Sequence, residues 1–400
     1  MKALYLWDSE YPWDIRVDKT CSTLVSRGWE VHLVCRNRKR QPTEELYRGV
    51  FIHRISYLPE SAGRLNDIYT FPLFISPVWI AKLAHVVREQ AVDVIIARDL
   101  PMALAAVIVG KWFGVPTILD MAECYPELIR LKWQFEPFQL RNVIIRNPVL
   151  ADFVERIVIS SVDHIFVMVE ESRDRLLAMR CRDSKISIVS NTPPKGKFAL
   201  APASFPGSLA QNRGKLILLY VGLLNYSRGL DTVIRALGEY VKQHQDVFLV
   251  ILGAGNAKDE LVDLSRHLRL DDYIGFEGWV DNELVPEYVA SADVCLVPHH
   301  RCSHWESTIP NKLFDYMAAG KSVLASDVTP VKRIVDETTC GRTYRDYDVH
   351  DLVDSLRRMR DVEVRAEFGL NGQRSVNDRY NWEVDADRML NAIHEVAKVL

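Results

Sequence analysis

The sequence predicts an α/β protein with two doubly wound domains, each a parallel sheet covered by helices on both faces. Three observations carry that expectation. Short apolar runs rich in β-branched residues alternate with amphipathic helical stretches from end to end of the 400 residues. The runs are continuously hydrophobic, as strands buried on both faces are. A stretch without clear periodicity, "NTPPKGKFALAPASFPGSLAQNRGK" (191–215), divides the alternation in two.

In chain order, strands are expected at 2–7, 30–35, 50–55, 92–97, 116–120, 164–169 and 186–190. After the break they are expected at 216–222, 247–253, 273–278, 293–298 and 322–326. The chain end, "RYNWEVDADRMLNAIHEVAKVL", carries Trp382, Ala386, Met389, Ile393, Val396 and Leu400 at helical spacing and reads as a long amphipathic helix. With 48% hydrophobic and 26% charged residues the chain buries sizeable cores. A net charge of −3 argues against a general nucleic-acid binder. No apolar stretch reaches the roughly 18 residues of a spanning helix, and the N-terminal run is too short for a secretory signal. The seven cysteines are scattered without a C-x2-C pair, so neither a disulfide framework nor a zinc site is expected. A reducing cytoplasm fits best.

Ligands of open α/β sheets bind outside the carboxyl ends of the strands, so the residues just after each strand matter most. Arg228 follows the strand ending at Gly222 and precedes a helix start, where guanidinium and free amides suit an anion; a solvated arginine in a tight turn is the alternative. Gly253 and Gly255 permit close backbone approach, although "GAGNA" does not complete a dinucleotide fingerprint and a plain tight turn is the preferred account. In "ESTIPNKLFDYMAAGKSVLAS" (306–326), Pro310 suits a helix start and Gly320 a C′ cap. Asp315 lies about one turn into that helix, where a carboxylate is a poor interior choice but an apt partner for a ribose diol. Lys312 and the backbone amides around 307–311 would then face a diphosphate. The plain alternative has Asp315 pointing to solvent.

In the first half, Asp14, Arg16 and Lys19 follow the first strand, and Asp99, Asp120 and Glu123 follow two others. Such carboxylates bind sugar hydroxyls or assist acid–base chemistry, but Asp99 and Asp120 also suit helix caps. His299, His300 and His304 lack a partner at ligand spacing, so no metal is expected there. "IRLKWQFEPFQLRNVIIRNP" (129–148) mixes basic and aromatic residues that could touch anionic lipid headgroups, or simply pack on the sheet.

In their order, "VGLLNYSRGLDTVIRAL", "LVILGAGNAKDEL", "IGFEGWVDNELVPEYVASADVCLVP" and "IPNKLFDYMAAGKSVLASD" resemble the donor-binding half of retaining glycosyltransferases of family four. "YPWDIRVDKTCSTLVSRGWEVHLVC" and "ILDMAECYPELI" look like the acceptor half, and "NDRYNWEVDADRML" like the closing helix. The resemblance implies the GT-B fold, two facing Rossmann-like domains with an interdomain cleft. It implies an acceptor-side domain at 1–195, with helix 380–400 packing back on it, and a nucleotide-sugar domain at 196–379. It assigns Arg228 to the donor diphosphate, Asp315 to the ribose as second acid of a Glu-x7-Glu motif, Gly222 to the turn beneath the phosphates, and Arg16 to a loop near the sugar.

Three departures stand out. Ser307 occupies the first-acid position with Glu306 one place early, Leu223 replaces a basic residue, and Ala122 replaces a histidine between Asp120 and Glu123. The implied activity is transfer of a sugar from a nucleotide diphosphate (UDP favoured, GDP an alternative) to a hydroxyl of a glycan, lipid-linked or envelope polysaccharide acceptor. Retention, no cofactor, no essential metal and peripheral contact with the inner face of a membrane belong to the same expectation. Arg16, Asp120, Glu123 and Arg228 are the expected catalytic residues. Gly222, Gly253, Glu306, Ser307, Thr308, Lys312 and Asp315 hold the donor, and Asp14 and Asp99 lie on the acceptor side. A nucleotide-sugar epimerase and a non-catalytic sugar-nucleotide-binding protein are the competing readings.

Overall fold

The computed structural model describes residues 1–12, 14–58, 69, 71, 74–135, 146–198 and 206–397. Parts of several sequence readings fall outside these: 136–145 of the basic and aromatic segment, 199–205 of the linker and 398–400 of the last helix. The chain forms two compact units, Met1–Asn191 with Asp385–Leu400, and Thr192–Val384.

The first unit contains β1 (Lys2–Leu6), β2 (Glu30–Cys35), β3 (Glu44–Tyr47), β4 (Val50–Arg54), β5 (Val94–Arg98), β6 (Thr117–Met121), β7 (His164–Val167) and β8 (Ile186–Ile188). Their order is β3-β4-β2-β1-β5-β6-β7-β8, parallel except for the β3–β4 pair. Strand order reverses between β1 and β5, which opens a crevice at their carboxyl ends. Leu4, Leu6, Ile95, Leu119 and Ile165 form the inner face of the sheet. Trp79 and Leu83 of helix Pro77–Gln90 cover it, with Met102 and Ala106 of helix Asp99–Phe113.

The second unit contains β9 (Leu216–Val221), β10 (Val247–Leu252), β11 (Ile274–Gly278), β12 (Val294–Val297), β13 (Ser322–Ser326) and β14 (Gly341–Tyr344). They form one parallel sheet in the order β11-β10-β9-β12-β13-β14, with the reversal between β9 and β12. Helix Leu230–Tyr240 buries Leu230, Val233, Ile234, Leu237 and Tyr240, one apolar stripe at helical spacing, against a core that includes Leu218, Leu249 and Ile251. Helix Asn311–Ala318 follows Pro310, and Gly320 adopts φ +66° just past its end. There the amides of Gly320 and Lys321 bond back to the carbonyls of Met317 and Tyr316.

Two strands were not anticipated. β3 is an exposed "EELY" held to β4 by a two-residue turn, Arg48-Gly49, with φ of 49° and 82°. Both positive angles match the hairpin turn that glycine favours at this place. β14, "GRTY", is a short edge strand without an apolar run. Among the described residues no helix is long and apolar enough to cross a membrane, and all seven cysteines are free.

Candidate functional site

At the carboxyl ends of β9 and β10 the backbone itself is packed. The Gly253 amide bonds to the Gly278 carbonyl at 2.7 Å, and a Cβ at Gly253 would stand 1.9 Å from the Gly222 carbonyl oxygen. With φ +135°, only glycine fits. Beyond Gly222 the chain turns through Tyr226–Arg228 to Gly229. Gly229 has φ +67°, and a Cβ there would lie 1.8 Å from the Pro298 carbonyl oxygen. The His300 amide bonds to the Ser227 carbonyl at 3.0 Å. The Arg228 turn is thereby tied to the end of β12, across the point of strand reversal.

Arg228 donates through Nη1 to His299 Nε2 at 2.6 Å, and its Cζ stands 4.5 Å from the centre of the Trp305 ring. His299 is buried and meets Trp305 edge-on at 4.4 Å. Burial first, then the charges of Arg228 and Lys312, push the His299 imidazole well below its ordinary range. Since Nε2 accepts from arginine, the ring proton of the neutral imidazole belongs on Nδ1. Lys312, on helix Asn311–Ala318, reaches back over β9. Its Nζ is 3.7 Å from the centre of the Tyr220 ring and 2.8 Å from where a Cβ of Gly222 would be. Burial, and after it Arg228, hold this amine well below the usual lysine range.

Arg228 Nε, His299 Nδ1, Trp305 Nε1 and Lys312 Nζ are all buried without a hydrogen-bond partner. Buried polar groups are normally paired, and each orphan costs about 1–3 kcal/mol. A cluster of donors without an acceptor fits an anion with several oxygens.

The carboxylates nearby are engaged elsewhere. His300 is held between Asp231 (2.9 Å) and Asp346 (2.7 Å) and stacks on Tyr347. Burial opposes its charge, but the two carboxylates prevail and raise it to about 9. Glu306 pairs with Arg301 at 3.0 Å. Ser307, in the first-acid position, is buried with its hydroxyl directed to the carbonyls of Ser303 and His304; Thr308 beside it is also buried. Asp315 is 28% exposed and pairs with Lys197 of the linker at 3.1 Å. An exposed pair of this kind is worth about 0–1 kcal/mol, so exchanging Lys197 for another partner would cost little.

The structure thus brings Gly222, Gly253, Arg228 and Lys312 together at one end of the sheet. His299 and Trp305 are added to the anticipated set. His299 had drawn attention only as a possible metal ligand, and among the described residues no group of three His, Cys, Asp or Glu side chains is arranged to hold a metal. Its position just after β12 was legible, but its place beside Arg228 depends on the strand order.

The carboxyl end of the first sheet is a network of buried charges. Arg16 is not in a loop as expected; it is the second residue of helix Ile15–Ser26, capped by Asp14. Its Nε bonds to Asp120 at 2.9 and 3.0 Å, its Nη2 at 2.5 Å, and its Nη1 meets the sulfur of Met168. Both side chains are 2% exposed. Tyr5 donates its hydroxyl to Asp120 at 2.6 Å. Burial works against the Asp120 carboxylate, but Arg16 holds it below the usual range.

Asp120 lies within β6 and is therefore not a helix cap. Asp99 opens its helix at φ +58° and accepts from the Ala122 and Glu123 amides at 3.0 Å each. Arg98, not anticipated, bonds to both Asp14 and Asp99 at 3.1 Å. Asp8, also overlooked, is pushed up to about 6 by burial and by Asp99. These bonds fix the loop at Ala122–Glu123 and leave Arg16 and Asp120 committed to each other.

Comparison with known proteins follows the same division. A family profile described as glycosyl transferases group 1 matches residues 204–375, and one described as a glycosyl transferase 4-like domain matches 15–192. The D-inositol 3-phosphate glycosyltransferase of Thermomonospora curvata is 23% identical over 94% of this chain and 89% of its own length. The phosphatidyl-myo-inositol mannosyltransferase of Mycolicibacterium smegmatis is 27% identical over 45% of each chain. For several curated relatives, that one included, the match spans about half of the relative's length.

Among solved structures, sucrose-phosphate synthase of Thermosynechococcus elongatus superposes with a TM-score of 0.75 at 18% identity over 100% of both chains. Anabaena HepE, solved with UDP and glucose, does so with a TM-score of 0.73 at 14% identity over 99% of this chain and 100% of its own. The chain belongs to the family-four, group 1 glycosyltransferases of the GT-B fold.

Proposed function

We propose that the chain transfers a sugar from a nucleoside diphosphate, UDP in preference to GDP, to an acceptor hydroxyl with retention at the anomeric carbon. The observation that carries this reading is the set of four buried, unpaired polar atoms on Arg228, His299, Trp305 and Lys312 at the β9/β12 crevice. In this reading Arg228 and Lys312 stabilise the charge that develops on the leaving diphosphate, the largest catalytic contribution expected of such a site. Two cationic side chains do the work a divalent ion would do, so no metal is required. The leaving phosphate takes the acceptor's proton on the same face. Asp315 exchanges Lys197 for the ribose hydroxyls. The relative named a D-inositol 3-phosphate glycosyltransferase supports sugar transfer, and the neighbour solved with UDP and glucose supports a uridine nucleotide donor.

The acceptor is a glycan or a lipid-linked glycan, reached from a membrane surface. Val149, Leu150 and Phe153 are exposed on helix Pro148–Ser161, and Trp133 is exposed nearby in sequence, a composition suited to an interface. In the test, a panel of nucleoside mono- and diphosphates is scored by thermal shift. UDP or GDP raises the melting temperature and the monophosphates do so less; no shift with any diphosphate refutes the reading. The buried Ser307 hydroxyl, standing where an acid would face the sugar, favours a second reading, a sugar-nucleotide-binding protein without turnover. Release of UDP from UDP-sugar in the presence of acceptor decides between them.

A further inference from the structure

Lys312 meets no anion at the end of β9. From β9 it faces the Tyr220 ring and the Gly222 turn; from the following turn, Arg228; from the end of β12, the neutral imidazole of His299. Its own helix contributes Tyr316, whose hydroxyl accepts from the Val221 amide. The carboxylates of the neighbourhood are turned away, Asp231 and Asp346 onto His300, Glu306 onto Arg301 and Asp315 onto Lys197. The amine is therefore buried beside a permanent guanidinium charge, with no hydrogen bond. Burial and Arg228 both disfavour its ammonium form. A diphosphate placed among these donors reverses the balance, because it supplies two or three negative charges and the missing acceptors.

We propose that Lys312 takes up one proton from solvent as a nucleoside diphosphate binds, so that the ammonium that grips the ligand forms only in the complex. The inference rests on reading this crevice as a nucleoside diphosphate site. The step is a simple protonation. The amine lone pair accepts a proton from the buffer, no bond in the ligand changes, and the proton returns to solvent on release. Two consequences follow. The site responds to the ligand's charge, so an uncharged nucleoside triggers no uptake. Affinity also falls with rising pH by about tenfold per unit while the empty site is neutral and the complex is charged.

The test is titration calorimetry of UDP and GDP into the full chain between about pH 8 and 9, where the nucleotide's phosphates are already ionised. Buffers of differing ionisation enthalpy report the protons exchanged. The wild type should take up about one proton per ligand. Lys312→Arg, permanently charged, should bind without uptake, and Lys312→Met should lose both the uptake and at least about tenfold in affinity. Binding by the wild type without uptake overturns the inference and leaves the nucleotide site intact. Uptake that persists in Lys312→Arg, with circular dichroism unchanged, moves the proton to another group and overturns it too. Failure of both nucleotides to bind removes the site reading itself, and the inference with it.

Discussion

Replacing Asp120 with Asn removes the carboxylate bonded to Arg16 while keeping its shape. Both partners are 2% exposed, and the guanidinium otherwise meets the sulfur of Met168. Breaking a buried ion pair from one side costs about 3–5 kcal/mol, because the remaining charge stays buried. Against a total stability of about 5–15 kcal/mol this is a large fraction. For a unit of this size it corresponds to a fall of roughly 6–20 °C in melting temperature.

Urea unfolding followed by circular dichroism and tryptophan fluorescence measures it. The double variant Arg16→Met/Asp120→Leu, which removes both charges, should recover most of the loss. The pH dependence has a definite sign. Asp120 is held below its unfolded value, so its contribution is complete above about pH 4 and fades as pH falls through the lower folded value. The stability gap between wild type and Asp120→Asn should therefore close on acidification. A single variant within about 1 kcal/mol of wild type, or a double variant as weak as the single, would refute the reasoning.

Other outcomes follow from the second unit. His300, raised to about 9 by Asp231 and Asp346, adds stability that is complete below about pH 6.5 and lost as pH rises through about 9. His300→Gln should erase that dependence at a cost of about 2–3 kcal/mol near neutrality, read from denaturation at several pH values. Gly253→Ala forces a Cβ to within 1.9 Å of the Gly222 carbonyl oxygen, so the two loops must part. A loss of about 2–3 kcal/mol, with weakened UDP binding, is expected by thermal shift and calorimetry. Lys197→Ala should change stability by under about 1 kcal/mol. Asp315→Ala should weaken UDP but not inorganic pyrophosphate, since only the former carries a ribose; equal weakening of both would count against the diol contact.

Most strands could be read because they are continuous apolar runs. "EVHLVC" and "SVLAS" become β2 and β13 without change, and others shift by one or two residues at their ends. β3 and β14 escaped because an exposed "EELY" and an edge "GRTY" bury too little to show a pattern. The Arg48-Gly49 turn between two short runs was the signal that could have revealed β3. Arg228, between a strand end and a helix start, and Lys312, in the first turn of a helix, were legible as candidates from their places in the chain. The pairing of Arg16 with Asp120 was not, because 104 residues separate them and only the fold brings the first turn of helix Ile15–Ser26 to the end of β6. The role of His299 was hidden for a similar reason. Neighbouring histidines suggest metal, whereas the strand order sends His299 to Arg228 and His300 to two aspartates.

The affinity of UDP and GDP for the wild type and for Arg228→Ala, measured by calorimetry with folding checked by circular dichroism, bears most directly on the proposed donor site at the crevice between β9 and β12. At least one nucleotide should bind the wild type, and the variant should bind it about 10- to 150-fold more weakly, the worth of a charged hydrogen bond. Equal affinity in a folded Arg228→Ala, or no binding of either nucleotide by the wild type, would contradict the assignment.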